Sequence, residues 1–141
     1  HKFLVKVGGE RFAGKIVLVT PWATWLEPSS LEAPMLAKLL KVHKARPFAV
    51  LGVCLNRQED EAAARQLASR LRITWPVLFD GKGYDGVCGK LFKTEGPPGN
   101  LVVDESGTIV RANVHGTHLK DVLVTELTRL QRKTRGSGGP R

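Results

Sequence analysis

The stretch GKIVLVTPWATWLEPSSLEAP, residues 14–34, contains the strand and the helix start on which the fold depends. Its first part, IVLVT at 16–20, is a continuous and mostly β-branched apolar run, which is typical of a strand buried on both faces of a largely parallel sheet. Apolar residues then recur at helical spacing. We predict that this helix starts near residue 28, with Ser29 as its cap and Glu32 completing a capping box.

The segments around this stretch continue the alternation of strands and helices. Before and after this stretch we predict an N-terminal hairpin that begins with KFLVKV at 2–7, a second buried strand at 48–55 and a helix capped by Asn56. A short extended element at 75–79 and a brief helix containing Val87 follow. The chain then forms an antiparallel hairpin of two strands, 101–104 and 108–114, and a last helix from about Thr117 to Lys133. A βαβ unit followed by ββα is typical of a central mixed sheet, first parallel and then antiparallel, flanked by helices. The sequence therefore predicts an α/β fold with an inserted βα unit and an N-terminal hairpin.

Several separated blocks of the sequence resemble one protein family, the TlpA/ResA-like thiol-disulfide oxidoreductases. In that family a WATW stretch is followed by Cys-x-x-Cys and then by Glu-x-Pro. The positions that match this pattern without gaps are Trp22, Ala23, Thr24, Trp25, Glu27, Pro28, Glu32 and Pro34. ITWPVLFDGKGYDG at 73–86 and GPPGNLVVDESGTIV at 96–110 continue the resemblance, which covers about residues 12–132. The resemblance implies a thioredoxin-like fold.

The family's two cysteines are missing, because Leu26 and Ser29 stand at their positions. Thiol–disulfide exchange needs one thiolate that attacks a disulfide and a second thiol that resolves the mixed disulfide. Leucine and serine can do neither, and we interpret Ser29 as a helix cap instead. With these departures, the resemblance predicts a redox-inactive binding or scaffold module that uses no cofactor.

The surroundings of the missing cysteines predict a groove for a protein or an extended peptide. Its predicted members are Trp25, Glu27, Pro28, Pro97 and Pro98. The resemblance aligns Pro98 with the family's cis-proline, and the preceding residue normally offers its backbone N–H and C=O to an extended substrate. Pro97 has no N–H, so one of those two hydrogen bonds is lost here.

The two cysteines of the chain, Cys54 and Cys88, leave an enzymatic alternative open. Cys54 lies in the second buried strand, at the same sheet edge as Leu26, and the resemblance places Cys88 close to Pro98. The alternative is a divergent thiol oxidoreductase or a peroxidase-like enzyme that uses one or both thiols, although neither follows a Pro-x-x-x-Thr-x-x-Cys pattern. The simpler interpretation is that both are buried structural residues.

A metal site is not predicted. His115 and His118 are the only histidine pair with ligand-like spacing, and no cysteine or acidic residue accompanies them in a metal-binding pattern.

Positive charge is concentrated near the end of the sequence. The chain has 22 Lys and Arg residues against 13 Asp and Glu residues, a net charge of +9, and much of the excess lies in RLQRKTRGSGGPR at 129–141. We predict one domain over residues 1–133 and a disordered basic tail over 134–141 that binds polyanions weakly. No nucleic-acid motif accompanies the charge.

No run of about 18 apolar residues occurs, so we predict no membrane span in this chain. The first ten residues, HKFLVKVGGE, lack the charged-then-apolar pattern of a signal peptide. TlpA-like domains usually face the periplasm or another extracytoplasmic space, and the resemblance implies that location here.

Overall fold

The computed structural model describes the backbone of residues 3–4, 12–92 and 99–138, and the side chains of the same residues except 3–4, 27–31 and 136–138. The elements of this part are β1 Phe3–Leu4, β2 Ile16–Trp22, α1 Glu27–Val42, β3 Phe48–Cys54, α2 Glu61–Arg70, β4 Val77–Phe79, α3 Val87–Lys90, β5 Asn100–Val103, β6 Ile109–Val114 and α4 Gly116–Gly138. Single turns of 3-10 helix, Gln58–Asp60 and Gly83–Asp85, precede α2 and α3. None of the described helices has the length and apolar character needed to cross a membrane.

One mixed sheet forms the centre of the protein, with its strands in the order β1-β4-β3-β2-β5-β6. β2, β3 and β4 are parallel, whereas β5 runs antiparallel to β2 and to β6. The turn between β5 and β6 is closed by Asp104, whose N–H donates to the Thr108 carbonyl at 2.9 Å. These pairings confirm the predicted mixed sheet. Because Trp22 lies opposite Cys54, the carboxyl ends of β2 and β3 meet at one edge of the sheet, here called the carboxyl edge.

The side chains of β2 point alternately into two apolar cores. Ile16 and Leu18 pack in the larger core together with side chains of α1, α2 and α4. Val17 and Val19 pack in a smaller core that also holds side chains of α3 and of the segment between β2 and α1. Helices therefore cover both faces of the sheet, as predicted, and the face under α3 has the thinner cover.

The first helix begins before its predicted cap. α1 starts at Glu27 with Leu26 as its N-cap, so Ser29 is the third residue inside the helix. Pro28 suits this start because the first N–H groups of a helix have no intrahelical partner, and a missing one costs no hydrogen bond. The predicted capping box of Ser29 and Glu32 is therefore wrong, and Glu32 is bound elsewhere.

The predictions for the two ends of the chain concern the N-terminal hairpin and the end of the last helix. β1 pairs in parallel with β4, and residues 5–11, which would complete the predicted hairpin, lie outside the described residues. α4 runs from Gly116 to Gly138, so it passes its predicted end at Lys133 and includes part of the predicted tail. Residues 139–141 are not among those described.

Candidate functional site

The loop of residues 23–26 joins β2 to α1 at the carboxyl edge and is held by a buried amide. Asn56, which follows β3, is only 1% exposed. Its side chain accepts the Thr24 N–H at 3.0 Å and donates to the Thr24 hydroxyl at 2.8 Å. The Leu55 N–H also donates to the Trp22 carbonyl at 2.9 Å. Both ends of the Asn56 amide are therefore engaged by Thr24, which ties the loop to the end of β3, and Asn56 does not cap the following helix as predicted, since the residue before α2 is Asp60.

Leu26 stands where the family resemblance places the first cysteine, and it points into the smaller core. It is 9% exposed and belongs to the same cluster as Cys88 and Phe92. The second family position, Ser29, lies in the first turn of α1, and its side chain is outside the described set. At the first position the loop therefore offers buried hydrocarbon in place of a reactive sulfur.

Trp25, the neighbour of Leu26, points outward and is 53% exposed. Its ring centroid lies 5.9 Å from that of Tyr84, with the planes inclined at 44°, which is within the range of attractive aromatic pairs. Tyr84 belongs to the 3-10 turn packed on α3, where Val87 is 80% exposed and Leu91, the next residue after α3, is 51% exposed. We call Trp25, Tyr84, Val87 and Leu91 the Trp25 patch. Exposed apolar surface of this kind often marks a contact site.

A second polar cluster is centred on Glu32 of α1. One Glu32 oxygen lies 2.8 Å from Nδ1 of His115, and the carboxylate accepts the Asn100 side-chain amide at 3.2 Å and the Gly116 N–H at 3.4 Å. Glu32 therefore ties α1 to the start of β5 and to the junction of β6 and α4. This cluster is not predictable from local sequence patterns, because the partners of Glu32 are 68 to 84 residues away. The only signal in the sequence is the match of Glu32 to the family pattern.

The predicted groove is described only in part. Its residues whose side chains lie outside the described set are Glu27, Pro28, Pro97 and Pro98. The cis peptide bond at Pro98 therefore stays a prediction. The next described residue, Gly99, is packed closely on β6 and the residue after it, since a Cβ atom there would come 2.6 Å from Oδ1 of Asn113 and 3.0 Å from Nε2 of His115.

The two cysteines lie in different cores and are not bonded to each other. Cys54 is 1% exposed in the larger core, and Cys88 is 3% exposed in the smaller one. Burial raises the pKa of Cys54 to about 11. Burial, with the nearby charge of Asp80, raises the pKa of Cys88 to about 12. Since the thiolate is the nucleophile, two protonated and covered thiols oppose the alternative of a redox enzyme built on them.

Within residues 12–92 and 99–138, no group of three or more His, Cys, Asp or Glu side chains is arranged to hold a metal ion. His115, considered above as half of a histidine pair, has its Nδ1 directed at Glu32.

Comparison with known proteins places these features in a family context. The family model described as Redoxin matches residues 5–126. The thioredoxin-like protein YneN of Bacillus subtilis (strain 168) is 30% identical over 114 residues, which are 81% of this chain. The matched region spans 64% of the length of YneN.

Solved structures agree with this family match. A thiol-disulfide oxidoreductase from Bacteroides fragilis NCTC 9343 superposes with a TM-score of 0.74 at 25% identity, covering 83% of this chain and 85% of its own. A thiol:disulfide interchange protein from Bacteroides sp. has a TM-score of 0.71 at 25% identity and covers 86% of this chain and 79% of its own. These similarities confirm the predicted thioredoxin-like fold and the predicted resemblance.

Proposed function

We propose, from the premise that this chain belongs to the Redoxin family, that it binds a partner at the carboxyl edge of its sheet without dithiol redox catalysis. The chain is a thioredoxin-like domain of the thiol-disulfide oxidoreductase type. The observation that carries the proposal is Leu26, whose buried hydrocarbon side chain occupies the place where the family resemblance expects the attacking cysteine.

The chemistry of thiol exchange explains why this replacement matters. An attacking cysteine at the start of a helix is activated because the free N–H groups and the helix dipole favour the thiolate. Here the residue at the start of α1 is Leu26, which has no proton to release. The sulfurs that the chain does contain, Cys54 and Cys88, are buried and their pKa values are raised.

The framework around the missing sulfur supports a binding role. Asn56 fixes the loop, and the loop presents Trp25 to solvent against Tyr84. A large apolar ring that is held in place loses little conformational entropy when it is covered, which favours its use in a contact. We therefore infer that the partner is an extended peptide or a protein segment with apolar side chains, seated on the Trp25 patch.

The redox half of the proposal is tested by reduction of insulin with dithiothreitol. We expect the wild-type protein to give no acceleration over dithiothreitol alone. The matched control is the double variant Leu26→Cys/Ser29→Cys, which restores the family's Cys-x-x-Cys spacing and should accelerate the reaction. Acceleration by the wild type that disappears in Cys54→Ser or Cys88→Ser would support the enzymatic alternative and contradict the proposal.

The binding half is tested with an extended peptide that carries no free thiol, the oxidised B chain of insulin. We expect its addition to shift the NMR resonances of Trp25, Tyr84 and Leu91, and Trp25→Ala to weaken binding. Val124→Ala is the control, since Val124 is 46% exposed on α4. An equal loss of peptide affinity in Trp25→Ala and Val124→Ala would contradict a role for the Trp25 patch. Resonance shifts that lie outside the patch would contradict it as well.

A further inference from the structure

The helices α1 and α4 lie side by side on one face of the sheet, since both contribute apolar side chains to the larger core. At their starts, Glu32 accepts the Gly116 N–H at 3.4 Å, and just beyond the end of α1 the Arg46 guanidinium donates to the Gln131 side chain at 3.3 Å. The first two residues are 84 positions apart in the chain and the second two are 85 apart. Because this offset is nearly the same at both ends, the two helices run parallel and in step.

Two exposed valines lie along the line where these helices meet. Residues three or four positions apart share one side of a helix. Val42 follows Glu32 on α1 by such steps, and Val124 follows Gly116 on α4 in the same way. Val42 is 65% exposed and Val124 is 46% exposed. Both side chains therefore belong to the outer surface of the helix pair.

An exposed lysine accompanies each valine. Lys38 precedes Val42 by four residues, and Lys120 precedes Val124 by four residues. Side chains four residues apart are neighbours on the surface of a helix. The two helices therefore present the same pair of groups, a cation beside an aliphatic side chain, on adjacent lines.

Two arginines extend the positive charge toward the ends of the helices. Arg46 is held at Gln131 of α4, and Arg135 lies one turn beyond Gln131. From Lys120 to Arg135 the charge spans about 22 Å along α4. We call this surface the α1–α4 face, and its residues are Lys38, Val42, Arg46, Lys120, Val124 and Arg135.

Nearby acidic residues leave the charge of the α1–α4 face uncompensated. Residues 33–47 contain four Lys or Arg residues, residues 127–135 contain another four, and neither segment contains Asp or Glu. The two acidic residues of α4, Asp121 and Glu126, line a hollow together with Arg111 of β6. They are therefore directed toward β6, and the side of α4 that meets α1 stays positive.

The dimensions and the composition of the α1–α4 face indicate the kind of partner that it fits. A small anion cannot span its cations. Residues 33–47 and 116–138 contain no Phe, Trp or Tyr, which are the side chains on which the bases of single-stranded nucleic acid stack. A bilayer with anionic headgroups attracts clustered Lys and Arg side chains, and it also accepts aliphatic side chains at the boundary between its headgroups and its acyl chains.

We propose that the α1–α4 face docks on a bilayer surface that contains anionic phospholipid. The basic side chains would lie at the lipid phosphates, and Val42 and Val124 would reach between the headgroups. This goes beyond the proposed function, because it requires neither the Trp25 patch nor the absence of dithiol chemistry, so either proposal can fail without the other.

The location of the contact is tested with a fluorescent probe on the full chain. Val42→Cys is labelled with the polarity-sensitive dye nitrobenzoxadiazole, while Cys54 and Cys88 stay unlabelled because they are buried. Vesicles with equal amounts of phosphatidylcholine and phosphatidylglycerol should shift the emission to shorter wavelength, and pure phosphatidylcholine vesicles should not. The matched control is labelled Ile109→Cys, since Ile109 is 52% exposed on β6, outside the face, and its emission should not change.

The contribution of charge is tested by sedimentation with the same vesicles. Lys38→Glu/Lys120→Glu should weaken binding at least about thirtyfold, since each basic residue near an anionic surface is worth roughly a factor of five. Lys82→Glu/Lys90→Glu is the matched control. It makes the same change in net charge at exposed residues, and α3, which ends at Lys90, covers the other face of the sheet. Its affinity should fall less than about fivefold, because salt screens distant charges.

The proposal is overturned if the mixed vesicles do not bind, if pure phosphatidylcholine binds equally, or if the two charge variants lose the same affinity. An emission shift at Ile109→Cys as large as that at Val42→Cys would overturn it as well. Tighter binding to double-stranded DNA than to the vesicles would assign the face to nucleic acid, and self-association without lipid that shifts the Val42→Cys emission would assign it to a second copy. Either result contradicts a bilayer contact. The Val42→Cys probe decides the location even if the charge variant fails to fold.

Discussion

A dithiol enzyme needs a sulfur atom at an accessible position near a helix start. In this protein the loop of residues 23–26 has the position, whereas the sulfur atoms belong to two buried cysteines elsewhere. The loop carries the exposed Trp25 and leads directly into α1, but Leu26, at the N-cap of that helix, contains no sulfur. Cys54 and Cys88 bring sulfur, but each is enclosed in a core, and the two cores lie on opposite faces of the sheet. The difference shows that a thiol near the carboxyl edge is not sufficient, because reactivity depends on access and on the local pKa.

The largest expected effect is the slow alkylation of the native cysteines, which tests whether both thiols are as inaccessible as their burial indicates. With a pKa of about 11, Cys54 has about one molecule in a thousand as thiolate at pH 8, and Cys88 has fewer. We expect alkylation by iodoacetamide to be more than roughly a hundredfold slower in the native protein than in urea, and to speed up as the pH rises toward 11. Mass spectrometry of quenched samples measures both rates.

An exposed thiol on the same loop provides the control for this measurement. Trp25→Cys places a sulfur where the native side chain is 53% exposed, and it should react at the rate of a free thiol. The contrast between buried and exposed sulfur fails if native Cys54 or Cys88 reacts as fast as the introduced cysteine.

The next effect concerns the amide that holds the loop. Asn56→Ala removes both hydrogen bonds to Thr24 and leaves the Thr24 N–H without its partner, so we expect a loss of about 2 kcal/mol in the free energy of unfolding. Thr24→Val removes only the hydroxyl and should cost about half as much. Urea unfolding of both single variants and the double variant gives the coupling energy. Additive losses would mean that the Asn56 amide does not hold the loop through Thr24.

The central strands and their parallel or antiparallel directions were predictable because their signals are local. IVLVT at 16–20 could be identified as a buried strand from composition alone, and the Asp104–Thr108 turn follows from residues that are neighbours in the chain. Parallel strands that alternate with helices leave few alternative topologies. For that reason the carboxyl edge was located correctly without a structure.

Contacts across long stretches of chain were not predictable in the same way. Ser29 has the right spacing from Glu32 for a capping box, but Pro28 already suits the first turn, and α1 starts before both of them. Glu32 binds His115, which lies 83 residues away, and no pattern in the sequence links the two residues. The inward position of Leu26 likewise depends on a core that is completed by Phe92.

A smaller effect is expected for the Glu32 cluster, which anchors the helix that follows the loop. Glu32→Gln keeps an oxygen that can accept from Gly116 but loses the charge that faces His115, so we expect a loss of about 1 kcal/mol in urea unfolding. The control is Glu59→Gln, an exposed residue in the 3-10 turn before α2. If Glu32→Gln and Glu59→Gln lower the free energy of unfolding by the same amount, the Glu32 cluster does not stabilise the protein.

The smallest expected change in the free energy of unfolding concerns Glu105, at the end of the sheet opposite the carboxyl edge. There the contacts are ion pairs, whereas Asn56 holds the loop through a neutral amide. Glu105 accepts hydrogen bonds from Arg129 at 3.1 Å and Lys133 at 3.0 Å, and these partners lower the pKa of Glu105 to about 2. A lowered carboxyl pKa means that the native state keeps the carboxylate while the unfolded chain takes up a proton. The contribution is therefore complete above about pH 4.5 and is lost as the pH falls toward 2.

We expect this contribution to stay below about 1 kcal/mol, because the side chains of Arg129 and Lys133 are 41% and 63% exposed and water screens the pairs. Urea midpoints of the wild type and Glu105→Gln should converge between about pH 4.5 and pH 2. Added salt should reduce the difference at pH 7 but leave the cost of Asn56→Ala unchanged, because screening acts on exposed charges and not on a buried neutral amide. A salt-sensitive Asn56→Ala loss would show that charge, instead of the amide, holds the loop at the carboxyl edge.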